Sequence, residues 1–381
     1  MISPGSRHEL PAYGHPLMPT GAIQGEPGRV AVALSGGVDS STVAALLKRQ
    51  GFEVIGLTMQ LWDQGKARSG PSRTCCALED IHDARRVAQT LDIPFYVINL
   101  EAEFQRAVVD DFIASYASGR TPNPCVLCNQ QLKFHALLAK ALDLGAECLA
   151  TGHYARIKHQ DGIPQLWRGL DRDKDQSYFL FATTLEELTQ IRFPLGDLTK
   201  QQTRELAHEL GLHLAHKRES QDVCFVPDGD YGAFFARQGV GATCTPGSIV
   251  DVEGRHLGEH KGLGSYTIGQ RKGLGIAAPY PLYVTAILPE LNRLVVGPAS
   301  SLVRDSLEVE HLNWLDWHPL VESIPIMAQI RYASSPQSAV VTPLEGNRAR
   351  VVFNTPQRAI APGQVCVFSL GDRIMGGGWI R

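Results

Sequence analysis

The sequence has no long apolar run. Nowhere in its 381 residues does an uninterrupted hydrophobic stretch approach the roughly 20 residues a membrane helix needs, so no membrane partner is expected. It also lacks an excess of basic charge: 36 Lys and Arg stand against 39 Asp and Glu, for a net charge of −3. That argues against a chain held to a polyanion by bulk charge, although a local basic groove acts regardless of the sum. No secretory h-region is present. Residues 1–28 scatter Pro and Gly, with Arg7 the one Arg before Arg29, and read as a disordered extension of a cytoplasmic chain. Long repeats and low-complexity tracts are absent too. Cysteine is not scarce. Eight cysteines in a reducing compartment are more often buried, catalytic or metal-bound than joined in structural disulfides.

What is present reads as ordinary globular protein, 44% hydrophobic and 20% charged, long enough for two or three domains. Short apolar strands at 30–34, 54–60, 95–100 and 148–151 alternate with helical spacing at 42–50, 79–91, 104–117 and 133–144. This alternation predicts an α/β fold with a doubly wound parallel sheet covered on both faces. Short helices follow at 185–190 and 199–210. From about Cys224 the chain turns Gly-rich and β-like. Runs at 306–312, 324–331, 338–343, 350–353 and 364–370, separated by turns, predict a small C-terminal barrel or sandwich. The expected units are 29–224, a small central β-rich domain at 225–298, and 299–381.

The sharpest motif is Ser35-Gly36-Gly37-Val38-Asp39-Ser40-Ser41, between a strand and a helix. Glycines let the backbone approach a phosphate closely, and a helix N-terminus offers free N–H groups to an anion. Ser35, Ser40 and Ser41 add hydroxyl donors. Asp39 is placed either to cap the helix or to hold a Mg²⁺ shared with the phosphates. No Gly-Lys-Ser/Thr follows, so this is not a Walker A loop. It resembles the pyrophosphate-binding loop of the N-type ATP pyrophosphatases, which implies cleavage between the α and β phosphates of ATP.

A second motif, Thr121-Pro122-Asn123-Pro124-Cys125-Val126-Leu127-Cys128-Asn129, reads as a stiff loop before a helix whose dipole favours thiolate. Cys-x-x-Cys alone is ambiguous between redox pair, metal half-site and chance. Cys224, in Ser220-Gln221-Asp222-Val223-Cys224-Phe225, is distant in sequence but within reach of folding. Cys148 reads as core; Cys75-Cys76, Cys244 and Cys366 read as structural or incidental.

With Ala150-Thr151-Gly152-His153-Tyr154, the run from Asp173 to Leu180, and Gly269-Gln270-Arg271-Lys272-Gly273-Leu274-Gly275, these motifs follow one another in an order that resembles the tRNA-specific 2-thiouridylase family. The resemblance spans 29–381. It implies an adenine nucleotide alpha hydrolase-like first domain, a small central domain and a C-terminal β-barrel. It implies 2-thiolation of the wobble uridine of tRNAs for Lys, Glu and Gln, through an adenylated uridine and with release of AMP and pyrophosphate. By position, Ala33, Leu34, Ser35, Gly36, Gly37, Val38, Asp39, Ser40, Met59 and Gly152 hold ATP. Asn123, Pro124 and Cys125 lie beside the target base. His153, Lys174, Asp175, Gln176, Arg331, Tyr332 and Gln364 meet the tRNA. Cys224 is the persulfide carrier and Cys128 its partner, supplied by a sulfur-relay protein or cysteine desulfurase.

Many relatives carry Asp where this chain has Cys125. Two sulfur chemistries follow. Cys125, Cys128 and Cys224 could hold a [4Fe–4S] cluster with one iron open for sulfide. Alternatively, Cys128 and Cys224 alternate between persulfide and disulfide, with Cys125 a bystander. A zinc site would lack a fourth ligand. The basic loop around Lys261, Arg271 and Lys272 suits phosphate contact. Two rival readings remain: another adenylating enzyme on the same loop, which would not need the cysteines, and a non-enzymatic Fe–S or nucleotide sensor.

Overall fold

A computed structural model describes residues 28–62, 78–212, 223–226 and 229–381. The expectations for the N-terminal extension, for Cys75-Cys76 and for Ser220-Gln221-Asp222 lie outside the described residues.

The first strand, β1 (Arg29–Ala33), buries Val30, Ala31 and Val32 in succession, the mark of a strand covered on both faces. It is followed by α1 (Val38–Arg49), β2 (Glu53–Gln60), α2 (Leu78–Thr90) and β3 (Phe95–Asn99). Next come two long helices interrupted by π-turns. Helix α3 (101–117) contains the π-stretch Gln105–Val109, and α4 (124–143) the π-stretch Cys128–Leu137. Strand β4 (Cys148–Ala150), the hairpin β5 (Ala155–Gln160) and β6 (Ile163–Arg168), α5 (Leu185–Gln190), β7 (Ile191–Arg192) and α6 (Lys200–Glu209) complete this part. The parallel sheet has the order β3-β2-β1-β4-β7. Its order reverses between β1 and β4, and ligands bind beyond the strand C-termini at such a reversal.

Helix α1 starts four residues before the expected start, directly at the Gly-rich loop. Asp39, Ser40, Ser41 and Thr42 are poor interior helix formers. Here the Ser41 and Thr42 hydroxyls donate back to Gly37 O and Val38 O, each at 2.8 Å. Helix α4 likewise starts at Pro124, not at 133. Proline suits the first helical position because it lacks an N–H and fixes φ. The segment expected to be a loop before a helix is therefore the first turn of that helix, and it carries Cys125.

Beyond Cys224 the expected β texture is broken by α7 (Tyr231–Arg237), which buries Phe234 and Phe235. A four-stranded sheet follows, β8 (Gly247–Asp251), β9 (His256–His260), β10 (Tyr283–Leu288) and β11 (Arg293–Gly297), in the order β10-β11-β8-β9. The last unit comprises β12 (Val303–Trp314), β13 (Ile324–Gln329), β14 (Gln337–Leu344), β15 (Arg348–Arg358), β16 (Val365–Leu370) and β17 (Arg373–Ile380). Its order is β12-β15-β14-β13-β16-β17, closed by β12–β17 pairing into a barrel. The β5–β6 hairpin, unexpected from sequence, pairs with β17 at Trp167↔Arg373 and ties the first unit to the barrel.

One apolar cluster crosses all three units. It runs from Leu57 and Leu149 through Phe112 and Phe225 to Phe235 and on to Val365 and Ile374. Within it, Phe225 packs edge-on against Phe112 at 4.9 Å and Phe104 at 5.8 Å between ring centroids. Burying one such side chain contributes about 1.5–3 kcal/mol. This packing fixes the segment that carries Cys224.

Candidate active site

The phosphate loop leaves β1 at the sheet reversal. Gly36 has φ +70°, and Gly37 is the N-cap of α1 without a side-chain cap of its own. Free N–H groups at the first turn of α1 therefore face the crevice, with the partial positive charge of the helix behind them. Two of the three expected hydroxyl donors are not free for a phosphate. Ser41 Oγ donates to Gly37 O at 2.8 Å. Ser40 Oγ donates to the same carbonyl at 3.2 Å and accepts from Ser35 N at 3.1 Å. Both serines are buried, whereas Ser35 is exposed.

Asp39 does not cap the helix. Its two carboxylate oxygens each accept from Lys200 Nζ at 2.8 Å, and the Tyr154 hydroxyl donates to one of them at 3.0 Å. Lys200 opens α6, 161 residues away in sequence, and is 8% exposed. Sequence reasoning missed it; a Lys after a Thr capping residue carries no signal of a site. A Mg²⁺ ion needs only one or two carboxylates when phosphates supply the other ligands, so Asp39 fits that role once Lys200 releases it. Gly152 closes the site from β4. A Cβ there would lie 2.8 Å from Ser40 N and 2.9 Å from Asp39 Cβ, so only glycine allows this approach. Ala33 ends β1; Leu34 and Met59 are buried in the clusters that pack on the sheet, and Val38 is buried with Ala45 and Ala207 between α1 and α6.

His153, expected at the RNA, is 8% exposed, and both ring nitrogens are engaged inside the chain. Lys133 Nζ lies 3.3 Å from Nε2 and Thr151 Oγ1 lies 2.6 Å from Nδ1. An ammonium has only donors, so Nε2 is bare and the proton sits on Nδ1. Burial first, and the Lys133 charge second, hold the imidazole pKa well below its ordinary value. Lys133 belongs to α4, so His153 links the end of β4 to the helix that carries the cysteines.

Cys125 is exposed in the first turn of α4, and Cys128 and Cys224 are half-buried. Cys128 and Cys224 both pack against the central apolar cluster. Among the described residues no group of three His, Cys, Asp or Glu side chains is arranged to hold a metal ion. The three cysteines expected as [4Fe–4S] ligands are all described. They do not form such a group: Cys125 lines a cavity, while Cys128 and Cys224 pack against the central apolar cluster.

That cavity, about 380 Å³, is lined by Asn123, Pro124, Cys125, Gln364 and the aromatic wall of Phe112, Tyr116 and Tyr231, with Thr267 and Gln270 contributed by the central unit. Burial holds the Tyr116 phenol far above its ordinary pKa, while a hydrogen bond from Thr267 partly offsets this. The barrel docks directly behind Cys125. Thr121 N donates to Pro362 O at 2.7 Å, Gln364 Nε2 donates to Thr121 O and Pro122 O, and Arg120 pairs with Glu310 at 2.8 Å.

The remaining expected RNA contacts gather elsewhere. Asp175 is 6% exposed, and its carboxylate accepts from Gly169 N, Ser177 N, Ser177 Oγ and Arg168 Nη1, all at 2.9–3.1 Å. It holds the loop rather than facing outward; leaving such a buried carboxylate with a broken pair costs about 3–5 kcal/mol. Gln176 Oε1 accepts from Tyr154 N at 3.0 Å. Lys174 is half-buried. Tyr332 is 43% exposed and packs on Phe179 at 4.6 Å, while Arg331 donates to Arg358 O at 2.9 Å. Arg168 bonds both Asp175 and Gln329 Oε1, which brings the 174–176 loop beside Arg331 and Tyr332.

The chain matches family models described as the tRNA methyl transferase HUP domain over residues 28–228, the tRNA methyl transferase PRC-barrel domain over 236–298 and the aminomethyltransferase beta-barrel domain over 304–380. It is 62% identical over 357 residues to the tRNA-specific 2-thiouridylase MnmA of Magnetococcus marinus, covering 93% of this chain and 99% of that one. The protein of the same name from Geobacter metallireducens is 52% identical, with 92% and 96% covered. That from Carboxydothermus hydrogenoformans is 50% identical, with 93% and 97% covered.

Proposed function

The chain belongs to the tRNA-specific 2-thiouridylase family, and on that premise we propose that it uses ATP to replace O2 of a tRNA wobble uridine with sulfur. The methyl transferase wording of the family models yields to the name shared by relatives of 50–62% identity over nearly their whole length. One observation carries the reading. Helix α4 joins the two halves of the chemistry: its first turn puts Cys125 in the cavity, and Lys133 meets His153, next to the Gly152 that packs on the phosphate loop. The two points are separated by roughly 10 Å of helix.

ATP lies along the sheet reversal, its β and γ phosphates on the N–H groups of Gly36–Ser40 and its adenosine toward Met59. Asp39 would hold a Mg²⁺ ion together with the phosphates, and that ion would neutralise charge on the departing pyrophosphate. Lys200, displaced from Asp39, turns to the phosphates. A uridine base turned out of the anticodon stack enters the cavity beside Cys125, as base-modifying enzymes require. Its O2 attacks the α phosphate, pyrophosphate leaves, and the N3 proton is lost. A persulfide sulfur on Cys224 attacks C2 and AMP departs. Cys128 thiolate then breaks the S–S bond, leaving a Cys128–Cys224 disulfide for a thiol reductant. Tyr332, Arg331 and the 174–176 loop receive the tRNA backbone and bases, together with the basic loop at Lys261, Arg271 and Lys272. The reaction belongs in the cytoplasm, with sulfur from a relay protein or cysteine desulfurase and with tRNAs for Lys, Glu and Gln as substrates.

No step is routed through an iron–sulfur cluster, because among the described residues no three His, Cys, Asp or Glu side chains are arranged to hold a metal ion. Anaerobic purification with iron and sulfide analysis tests this. The persulfide route predicts an iron-free protein that thiolates tRNA from a persulfide donor. Iron and sulfide that vanish in Cys125→Ala would return the chemistry to a cluster.

A further inference from the structure

A buried line of hydrogen bonds joins the barrel to the phosphate loop. Gln329 ends β13 and is 5% exposed. Its Nε2 donates to Arg331 O at 3.1 Å and to Tyr332 O at 2.9 Å, and its Oε1 accepts from Arg168 Nη2 at 3.1 Å. Carbonyls only accept and a guanidinium only donates, so one amide orientation satisfies all three bonds and a flip breaks all three. The other arm of Arg168, Nη1, donates to Asp175, whose carboxylate also accepts from Gly169 N and Ser177 N. The turn from Arg168 to Ser177 is thereby braced. It reaches both members of the Asp39–Lys200 pair. Gln176 N donates to Tyr154 O at 2.9 Å and Gln176 Oε1 accepts from Tyr154 N at 3.0 Å, while the Tyr154 hydroxyl donates to Asp39. Asp171, in the same turn, accepts from Lys200 N at 2.8 Å.

We propose that Gln329 is a positioning residue through which the two substrates assist each other's binding. RNA seated on Arg331 and Tyr332 shifts Gln329 and, through Arg168, the braced turn. The turn draws the Tyr154 hydroxyl off Asp39, which frees the carboxylate for a cation on the nucleotide phosphates. The proposal rests on the reading that the chain takes ATP and tRNA. A buried network with its polar groups paired is stiff, so a displacement at the barrel end reaches Tyr154 instead of dissipating. The effect is reciprocal: the nucleotide must tighten RNA by the same factor by which RNA tightens the nucleotide.

The test measures Kd of the full chain for α,β-methylene ATP and Mg²⁺, with and without tRNA, and Kd for tRNA with and without that nucleotide. The analogue has no cleavable α–β bridge, so binding is read without turnover. In wild type each ligand is expected to tighten the other about tenfold. In Gln329→Met, which keeps the bulk of the side chain and none of its hydrogen bonds, the factor should fall to about twofold or less. Tyr154→Phe removes one hydroxyl at the far end. It should bind the analogue without tRNA about as tightly as wild type does with tRNA. The double variant should lose no further coupling, because both changes cut one path. A merely structural role for Gln329 would weaken RNA binding equally with and without the nucleotide and leave the coupling factor intact, which would overturn the proposal. Weaker analogue binding by Tyr154→Phe would overturn it too, and decides the matter alone if Gln329→Met does not fold. No coupling in a wild-type chain that does thiolate tRNA rejects the path and leaves the function standing. A chain that fails to thiolate tRNA at all rejects the function from which it was argued.

Discussion

Asp39 and Lys200 neutralise each other beside the loop proposed to bind phosphate, so each is engaged until the other is moved. An amide in place of the carboxylate would free Lys200 but leave nothing to hold the cation on the phosphates. Asp39→Asn is therefore expected to lower the rate of tRNA-dependent pyrophosphate release on the order of 10²–10³-fold, the usual cost of removing one preorganised electrostatic partner. Pyrophosphate release at the wild-type rate would remove Asp39 from the site. His153 makes a prediction of a different kind. In the unfolded chain an imidazole takes up a proton near pH 6.5, whereas folded His153 resists it. Below that pH the unfolded state binds more protons. The stability contribution is complete above about pH 6.5 and falls as pH drops toward the lowered folded value. Melting temperatures at pH 7.5 and 5.5 should fall further for wild type than for His153→Gln, which keeps an acceptor for Lys133; equal falls would mean that His153 titrates normally.

At the scale of elements, the close contact of the β4 end with the start of α1 does the positioning. Gly152→Ala puts a methyl group 2.8 Å from Ser40 N, part of the backbone proposed to hold the phosphates. We expect KM for ATP to rise at least about tenfold while the fold survives, since strain of about 1–3 kcal/mol is local. An unchanged KM would separate this contact from nucleotide binding. Elements also show where the sequence was readable. The Ser35–Ser41 run announced strand, loop and helix because glycine and hydroxyl residues have few other uses between an apolar strand and an apolar helix. Strand β17 was unreadable for the opposite reason. It lies beyond the last run read from the sequence, 364–370, and carries Gly376, Gly377 and Gly378; a Cβ on Gly376 would lie 2.0 Å from Asn313 O and one on Gly377 2.5 Å from Cys366 O. Here glycine marks close strand packing, which becomes visible only once the neighbours are in place. The two prolines before Cys125 suggested a stiff loop; one of them is instead the first residue of α4.

The molecule as a whole works as a clamp on a short stretch of chain. The parallel sheet supplies the crevice proposed for the nucleotide, α7 and its aromatic neighbours fix the Cys224 segment, and the barrel grips 120–122 through Glu310, Pro362 and Gln364. None of these long-range pairings is legible in one sequence. Lys200 meets Asp39 across 161 positions, and Gln364 meets Thr121 across 243. The motifs named the chemistry, and only the fold showed that Asp175 and His153 are buried with partners inside the chain. The central claim is that ATP cleavage and sulfur transfer are coupled on one uridine through Cys128 and Cys224. The most direct measurement counts AMP released per 2-thiouridine formed, with tRNA, ATP and a persulfide donor, in wild type, Cys128→Ser and Cys224→Ser. The account predicts one AMP for each 2-thiouridine in wild type and no 2-thiouridine in either variant. 2-Thiouridine formed without AMP, or thiolation that persists in both variants, would contradict it.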